Sequence, residues 1–289
     1  MSLSLLTDPL SYGFMQRGLA AALIVGIVCA VMGTFVVLKG LAFIGDAVSH
    51  AAFPGLVIAH ILGLPLVVGG SVAAVGTALA IGVVSHGSGL RFDTTVGVLF
   101  AGTFAFGVML QSTLESYTGD LMGYLLGQVL GITTADVIAV AVLGIAVLVI
   151  VGFLRKELLY ATFDPLGAAA SGLPVPFLEY LLLGLLGVTI VVGIQAVGII
   201  LVVAMLVTPA ATAQLLVTRV GRLVVLSVVL AMLSVVLGLY VSFYWDLAAG
   251  ATIVLFETLM FAIALVLGPR TGVLARMRAR RALEVSVPA

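Results

Sequence analysis

The chain has 289 residues, of which 63% are hydrophobic and only 8% are charged, and its formal net charge is zero. A soluble domain carries about 25% charged residues. This composition therefore excludes a soluble enzyme, because too little polar surface is present to cover the chain against water. The zero net charge also argues against a nucleic-acid-binding surface.

Long charge-free stretches predict an all-α bundle of membrane-spanning helices, because a helical span needs about 20 consecutive apolar residues. Nine spans are predicted, near residues 17–38, 43–62, 66–85, 94–114, 136–154, 177–194, 196–208, 222–243 and 247–268. We expect eight or nine of them to form one transmembrane domain over residues 1–289. Between the short sixth and seventh spans, Gly193, Gln195 and Gly198 predict either a turn or a break within a discontinuous helix.

Alternating the spans across the membrane places every Lys and Arg except Arg17 on one side. The positive-inside rule makes this basic side cytoplasmic, together with the basic tail at 270–289. The opposite side carries acidic residues. There, Gln111, Glu115 and Asp120 gather where the fourth span leaves the membrane. An acidic outer rim would concentrate cations, although orientation of the chain alone would also produce acidic outer loops. The residues before the first span include no basic side chain, so no cleavable signal peptide is expected.

Asp46 and His50 lie within the second span, where ionisable side chains are costly and require a reason. Their i, i+4 spacing places a carboxylate and an imidazole on one face of a helix. This pair of ligand types suits divalent Mn, Fe or Zn. Pro54 cannot donate a hydrogen bond to the carbonyl of His50, so a backbone oxygen is freed beside the pair. A buried Asp–His hydrogen bond that only packs two helices explains the same residues equally well.

The other ionisable and thiol groups in the spans favour structural interpretations. His60 falls at the outer end of the second span and is expected to be interfacial, whereas His86 is expected in a solvated turn. Glu257 lies in the middle of the last span, where it either faces the bundle interior and meets a polar donor or adds a charge to the transport pathway. Cys29 is expected to be a small buried hydrophobe.

The sequence contains no recognisable catalytic motif. A phosphate loop, a His-Glu-x-x-His metalloprotease motif and a Gly-x-Ser-x-Gly nucleophile motif are all absent. The chain is therefore not expected to be an enzyme, and any ATP hydrolysis that drives it must occur on another chain.

Three segments resemble the membrane permease of zinc/manganese ABC importers. They are GLAFIGDAVSHAAFPG at Gly40–Gly55, DTTVG at Asp93–Gly97 and LVTPAATA at Leu206–Ala213. The resemblance extends from about residue 13 to 272 and implies that Asp46 and His50 bind the transported metal. It covers zinc, manganese and iron without deciding among them, and it implies no permanently bound cofactor.

The same resemblance implies a set of partners and a location. The permease would form a homodimer in the bacterial plasma or inner membrane, flanked by two cytoplasmic ATPase subunits. An extracytoplasmic metal-binding lipoprotein would deliver the ion. Glu257 departs from the pattern, since an apolar residue is expected there.

The segment after Pro209 is predicted to couple the permease to the ATPase. Thr208 suits the N-cap and Pro209 the first turn of a new helix that would stop near Gly221. The proposed contact residues are Gln214, Leu215, Leu216 and Arg219. Alternatively, the segment is only the end of the seventh span, followed by basic residues that orient the chain.

Two other classes of protein remain as alternatives. A proton-coupled secondary metal transporter would use the same intramembrane Asp–His pair but would need no docking segment. An intramembrane enzyme would need more ligands than this pair supplies to hold a catalytic metal.

Overall fold

The structure, a computed structural model, describes residues 8–113 and 131–268. Glu115, Asp120 and the basic tail at 270–289 lie outside the described residues. Within the described residues the chain forms only helices and the connections between them, which confirms the predicted fold class. This outcome follows from the composition, because in lipid every backbone N–H and C=O must find a partner within the protein, and a helix provides these partners locally.

A short 3₁₀ turn, Pro9–Ser11, precedes the first long helix. The α-helices that follow are α1 (Gly13–Leu38), α2 (Ile44–Leu62), α3 (Leu66–Ser88), α4 (Phe92–Gln111), α5 (Thr134–Phe153), α6 (Arg155–Phe163), α7 (Pro165–Ala170), α8 (Val175–Val197), α9 (Ile199–Leu216), α10 (Val220–Trp245) and α11 (Ala249–Leu267).

Among the described residues, nine helices are long and apolar enough to cross a membrane, and they correspond to the nine predicted spans. The two short helices, α6 and α7, fall between the fifth and sixth spans. Helix α1 lies at the centre of the bundle and packs against α5, α8, α9 and α10. Its Cys29 is fully buried, as expected for a small hydrophobe.

The turn between α1 and α2 is short and closed by backbone hydrogen bonds. Gly40 has a φ of 70°, which glycine adopts without strain. The Leu41 N–H donates to the Val36 carbonyl at 2.8 Å and the Gly40 N–H donates to the Val37 carbonyl at 3.1 Å. These two bonds form a Schellman motif. The motif fixes the direction in which the chain enters α2. Asp46 follows in the first turn of that helix, whose N-cap is Phe43.

Helices α2 and α3 form an antiparallel hairpin in which the two backbones touch. A Cβ atom at Gly69 would overlap the carbonyl oxygen of Gly55, and a Cβ atom at Gly55 would overlap that of Gly69. Small residues at such crossings allow close van der Waals packing, which drives helix association in lipid. The hairpin is therefore held together along its backbone as well as by its side chains.

Helices α8 and α9 are separated by Gly198 alone, with a φ of 84°. The cluster of Gly193, Gln195 and Gly198 thus marks a connection between two helices. On the same side of the bundle, the Gln195 side chain donates to Asp136 at 3.3 Å, and Asp136 forms a capping box with Thr133 at the start of α5.

The predicted helix start at Pro209 is wrong. Pro209 is buried inside α9, which continues without interruption from Ile199 to Leu216, and Thr208 is therefore not an N-cap. A proline costs this helix one hydrogen bond, the one to the carbonyl of Met205. The Thr212 hydroxyl donates to the Thr208 carbonyl at 2.7 Å and supports the same turn. Membrane-spanning helices tolerate such a proline where neighbouring helices or local adjustments satisfy the freed carbonyl.

Replacement of Gly69 by alanine tests the α2–α3 crossing. The added Cβ would overlap backbone, so Gly69→Ala is expected to destabilise the protein by about 1–3 kcal/mol, the usual cost of overpacking. In Gly76→Ala, a control on the same helix, the new Cβ would meet open space. That change is expected to be neutral or to stabilise by about 0.5–1 kcal/mol, because alanine favours the helix. Melting temperatures of the purified proteins in detergent measure both effects, and equal values would contradict the crossing.

Candidate functional site

The structure brings Asp46 and His50 together at the start of α2. Asp46 lies in the first helical turn, and its Oδ1 is 3.5 Å from Nε2 of His50. The Asp46 side chain is 52% exposed and that of His50 is 34% exposed. The pair is therefore not sealed into a helix contact, and both groups can reach a ligand that enters from the open side of α2.

Helix α4 forms an aromatic wall next to His50. The ring of Phe100 lies 5.6 Å from the imidazole, and the ring of Phe104 lies 5.5 Å away with an edge-on orientation. These contacts limit the rotation of the imidazole and exclude water from one side of it. They orient His50 towards Asp46 and the open side.

Helix α4 approaches α2 closely at the proline turn. A Cβ atom at Gly107 would lie 2.8 Å from the Phe53 ring and 2.9 Å from the Pro54 nitrogen, so only glycine fits there without adjustment. Pro54 is buried within α2 and has no N–H to donate to the carbonyl of His50. The backbone oxygen of His50, which belongs to the same residue as the imidazole, therefore receives no hydrogen bond from Pro54.

The ligand set suits temporary rather than permanent binding. A carboxylate and an imidazole bind Mn²⁺, Fe²⁺ or Zn²⁺, but two side chains do not complete a coordination shell. Within the described residues, no group of three or more His, Cys, Asp or Glu side chains comes close enough to hold a metal ion. An incomplete site can accept an ion and also release it.

The remaining predicted residues lie away from this pair. His60 is exposed in the last turn of α2, at the far end of the helix, as predicted. Asp93 lies in the first turn of α4, whose N-cap is Arg91. Gln214 and Arg219 are exposed at the junction of α9 and α10, while Leu215 and Leu216 are partly buried there.

Glu257 faces the interior of the bundle, which is where its structural interpretation placed it. Its side chain is only 2% exposed. Neither carboxyl oxygen has a hydrogen-bond partner among the described residues, so the expected polar donor is not found there. An isolated carboxylate in such a place is very costly.

The prediction of a solvated turn at His86 is wrong. His86 lies inside α3, and its Nε2 is 2.7 Å from a carboxyl oxygen of Glu179, while Lys39 contacts the other oxygen of the same carboxyl at 2.9 Å. No local sequence signal predicts this cluster, since Lys39 and Glu179 are 140 residues apart. Alternation of the spans did place all three residues on the basic side, and this shared side is the only signal that could have suggested their contact.

Fold and site together define a class of protein: a multi-pass membrane protein with a carboxylate–imidazole pair at one open helix face. The profile of the ABC 3 transport family matches residues 11–268. The chain belongs to this family.

Curated relatives resemble the chain over almost its whole length. The manganese transport system membrane protein MntC of Halalkalibacterium halodurans is 43% identical over 278 residues, which is 96% of this chain and 95% of the relative. The chelated iron transport system membrane protein YfeD of Yersinia pestis is 40% identical over 266 residues, 92% of this chain and 89% of the relative.

Solved structures show the same fold. The structure described as PsaBC from Streptococcus pneumoniae in complex with Fab matches with a TM-score of 0.83 and 34% identity, covering 99% of this chain and 100% of the other. An inward-facing conformation of a putative metal-chelate type ABC transporter matches with a TM-score of 0.68 and 18% identity, covering 86% and 85%. The second match supports the fold alone.

Substitution of the pair tests the site directly. Asp46→Asn and His50→Gln each remove one ligand while keeping size and helix propensity. Each is expected to lower metal affinity by about tenfold or more, since even a supporting residue of a metal site contributes on that scale. His60→Gln, on the same helix but at its exposed far end, is the matched control and is expected to bind normally. Isothermal titration of the purified protein with Mn²⁺ measures the effect. Equal affinity in all three variants would reduce the pair to a packing contact.

Proposed function

We propose that this chain is the permease subunit of an ABC importer for divalent transition-metal ions. The observation that carries the proposal is the Asp46–His50 pair, which is open to a ligand in a chain of this transport family. Relatives named as manganese and chelated iron transport proteins support this class of cargo. The ion is the substrate of the protein and not a resident cofactor.

The pair would hold the ion only briefly during its passage. The Asp46 carboxylate would supply charge, the His50 imidazole a nitrogen ligand, and the His50 carbonyl, which receives no hydrogen bond from Pro54, a further oxygen. Water or a second protein chain would complete the coordination. Phe100 and Phe104 would limit the water that reaches the imidazole and so strengthen its interaction with the ion.

A second copy of the chain is the partner that best completes the site. Helix α4 stands beside the pair and has large exposed apolar side chains: Val98 is 65% exposed and Met109 57%. A pathway between two copies would place two Asp46–His50 pairs close to each other. Four side-chain ligands from a symmetric pair would complete the four-coordinate shell that Zn²⁺ prefers, and Mn²⁺ or Fe²⁺ would add water ligands.

The energy for transport would come from a cytoplasmic ATPase subunit, because the chain has no phosphate loop of its own. We place the docking site at the end of α9 and the residues that follow it. There α9 ends at Leu216, Val217 is extended, and α10 begins at Val220 with Arg219 as its N-cap. The segment is thus a helix end and a short connector, on the basic side assigned to the cytoplasm. A separate metal-binding protein would deliver the ion on the other side.

Reconstitution tests the proposed function. The permease, its ATPase and its binding protein are placed in proteoliposomes, and uptake of Mn²⁺, Fe²⁺ and Zn²⁺ is measured with and without ATP. We expect uptake of at least one of these ions that depends on ATP. Uptake that requires a proton gradient and proceeds without the ATPase would instead identify a secondary transporter.

Docking at the end of α9 makes a separate prediction. Gln214→Arg and Leu215→Asp are expected to weaken ATPase binding and to abolish uptake while the permease remains folded, because each puts a new charge on the proposed contact surface. Ala169→Arg adds a charge at an exposed position of α7 and is the control. Co-purification of the ATPase with each variant measures docking. Normal co-purification and uptake in both docking variants would show that the site lies elsewhere.

A further inference from the structure

Three charged side chains from three different helices meet on the basic side of the bundle. Lys39 is the C-cap of α1, His86 lies in the last turns of α3, and Glu179 lies in the second turn of α8. Lys39 Nζ is 2.9 Å from Oε1 of Glu179, and His86 Nε2 is 2.7 Å from Oε2. A single carboxyl group thus connects the ends of two helices to the start of a third.

The geometry sets the protonation of His86. Its Nδ1 is 2.8 Å from the Gly82 carbonyl, which can only accept a hydrogen bond. Its Nε2 faces Glu179, whose other oxygen accepts from the Lys39 ammonium, so this carboxyl is ionised and is also an acceptor. Both ring nitrogens therefore donate, which requires an imidazolium. Lys39 and Glu179 are the charged groups that act on His86, and the Tyr180 ring lies beside it at 5.9 Å.

The ion pairs of this cluster are partly shielded from water, so they stabilise the contact between the helix ends but can still be broken. The side chains of Lys39 and Glu179 are 16% and 23% exposed, whereas that of His86 is 49% exposed. Partial shielding strengthens the ion pairs relative to a fully exposed pair, and contact with water lowers the cost of breaking them. A fully buried ion pair would cost more free energy to break.

A cavity of about 320 Å³ lies against the cluster. Its walls come from α1 and the turn after it, α3, α4, α6 and α8, and they include Leu41, Phe92 and Thr162 besides the three charged residues. This space allows the three charged side chains to move apart without displacing packed core residues. Separation of the cluster would widen this cavity between helix ends.

Lys39 is also linked to the metal site through the backbone. It ends α1 immediately before the Schellman motif at Gly40, and the motif leads directly into the helix that carries Asp46. A rigid turn transmits displacement of one end to the other. The Glu179 contact that holds Lys39 therefore also restrains the turn that leads to Asp46.

We propose that Lys39, His86 and Glu179 form an ionic latch that holds the basic-side ends of α1, α3 and α8 together and must open in each transport cycle. The proposal rests on the proposed transport function. In the described state the latch is closed. Its opening separates α8 from the α1–α2 turn and from the end of α3.

Reversible cross-linking tests the latch. Lys39→Cys and Glu179→Cys are combined on a Cys29→Ala background and joined by a cleavable bifunctional thiol reagent in the reconstituted complex. We expect the linked complex to lose ATP-dependent Mn²⁺ uptake and to recover it when a reductant cleaves the link. Each single-cysteine variant treated with the same reagent is the control and should keep its uptake. Full uptake by the linked complex would overturn the proposal, because the latch would then never need to open.

The unlinked double variant separates this proposal from the proposed function. If wild-type permease shows no ATP-dependent metal uptake, the proposed function fails. If wild type transports but the unlinked, assembled variant does not, the latch residues belong to the ion path, and the latch is overturned.

A second variant covers the case in which the cysteine pair does not assemble. Glu179→Gln removes both ion pairs and keeps the size of the side chain. It is expected to raise ATP hydrolysis in the absence of the binding protein, because the closed state loses its bonds. Lys156→Met removes an exposed charge on α6 and should leave hydrolysis unchanged. Unchanged hydrolysis in an assembled Glu179→Gln complex would also overturn the proposal.

Discussion

Contact between helix backbones is the constraint on which the arrangement of this protein depends. Lipid surrounds apolar side chains as well as a protein interior does, so helices in a membrane associate through close packing rather than through hydrophobic exclusion. Here α2 touches α3 through Gly55 and Gly69, and a Cβ atom at Gly33 of α1 would overlap the carbonyl oxygen of Leu206 in α9. The first crossing fixes α2, and with it the Asp46–His50 pair, relative to α3, and the second fixes α1 relative to α9.

Much of the fold could be predicted because the signals for a membrane span are local. Length, hydropathy and the positions of charges define each span without reference to its neighbours, and the predicted spans correspond to helices in the structure. The error at Pro209 has the opposite origin. Whether a proline ends a helix in lipid depends on hydrogen bonds and packing around it, and a sequence does not display these.

The candidate site was predicted for the same reason that the spans were. Asp46 and His50 are one helical turn apart, so their contact follows from helix geometry alone. The cluster at Glu179 joins residues that are distant in the sequence, and His86 sits among Ser and Gly residues that resemble a loop. Glu257 shows the remaining gap: its position in a span indicated that it was unusual, while only the structure places it in the interior without a partner in the described part of the chain.

The α2–α3 hairpin has a consequence for how the molecule moves. Since the two backbones are in contact at Gly55 and Gly69, neither helix can slide or rotate far without the other. Asp46 lies at the free end of one arm, and His86 lies at the free end of the other. The hairpin is therefore expected to move as one unit, with the candidate metal-binding residue Asp46 at one free end and the charge contact of His86 at the other. A displacement of either free end is therefore expected to move both helices, without a series of side-chain rearrangements between them.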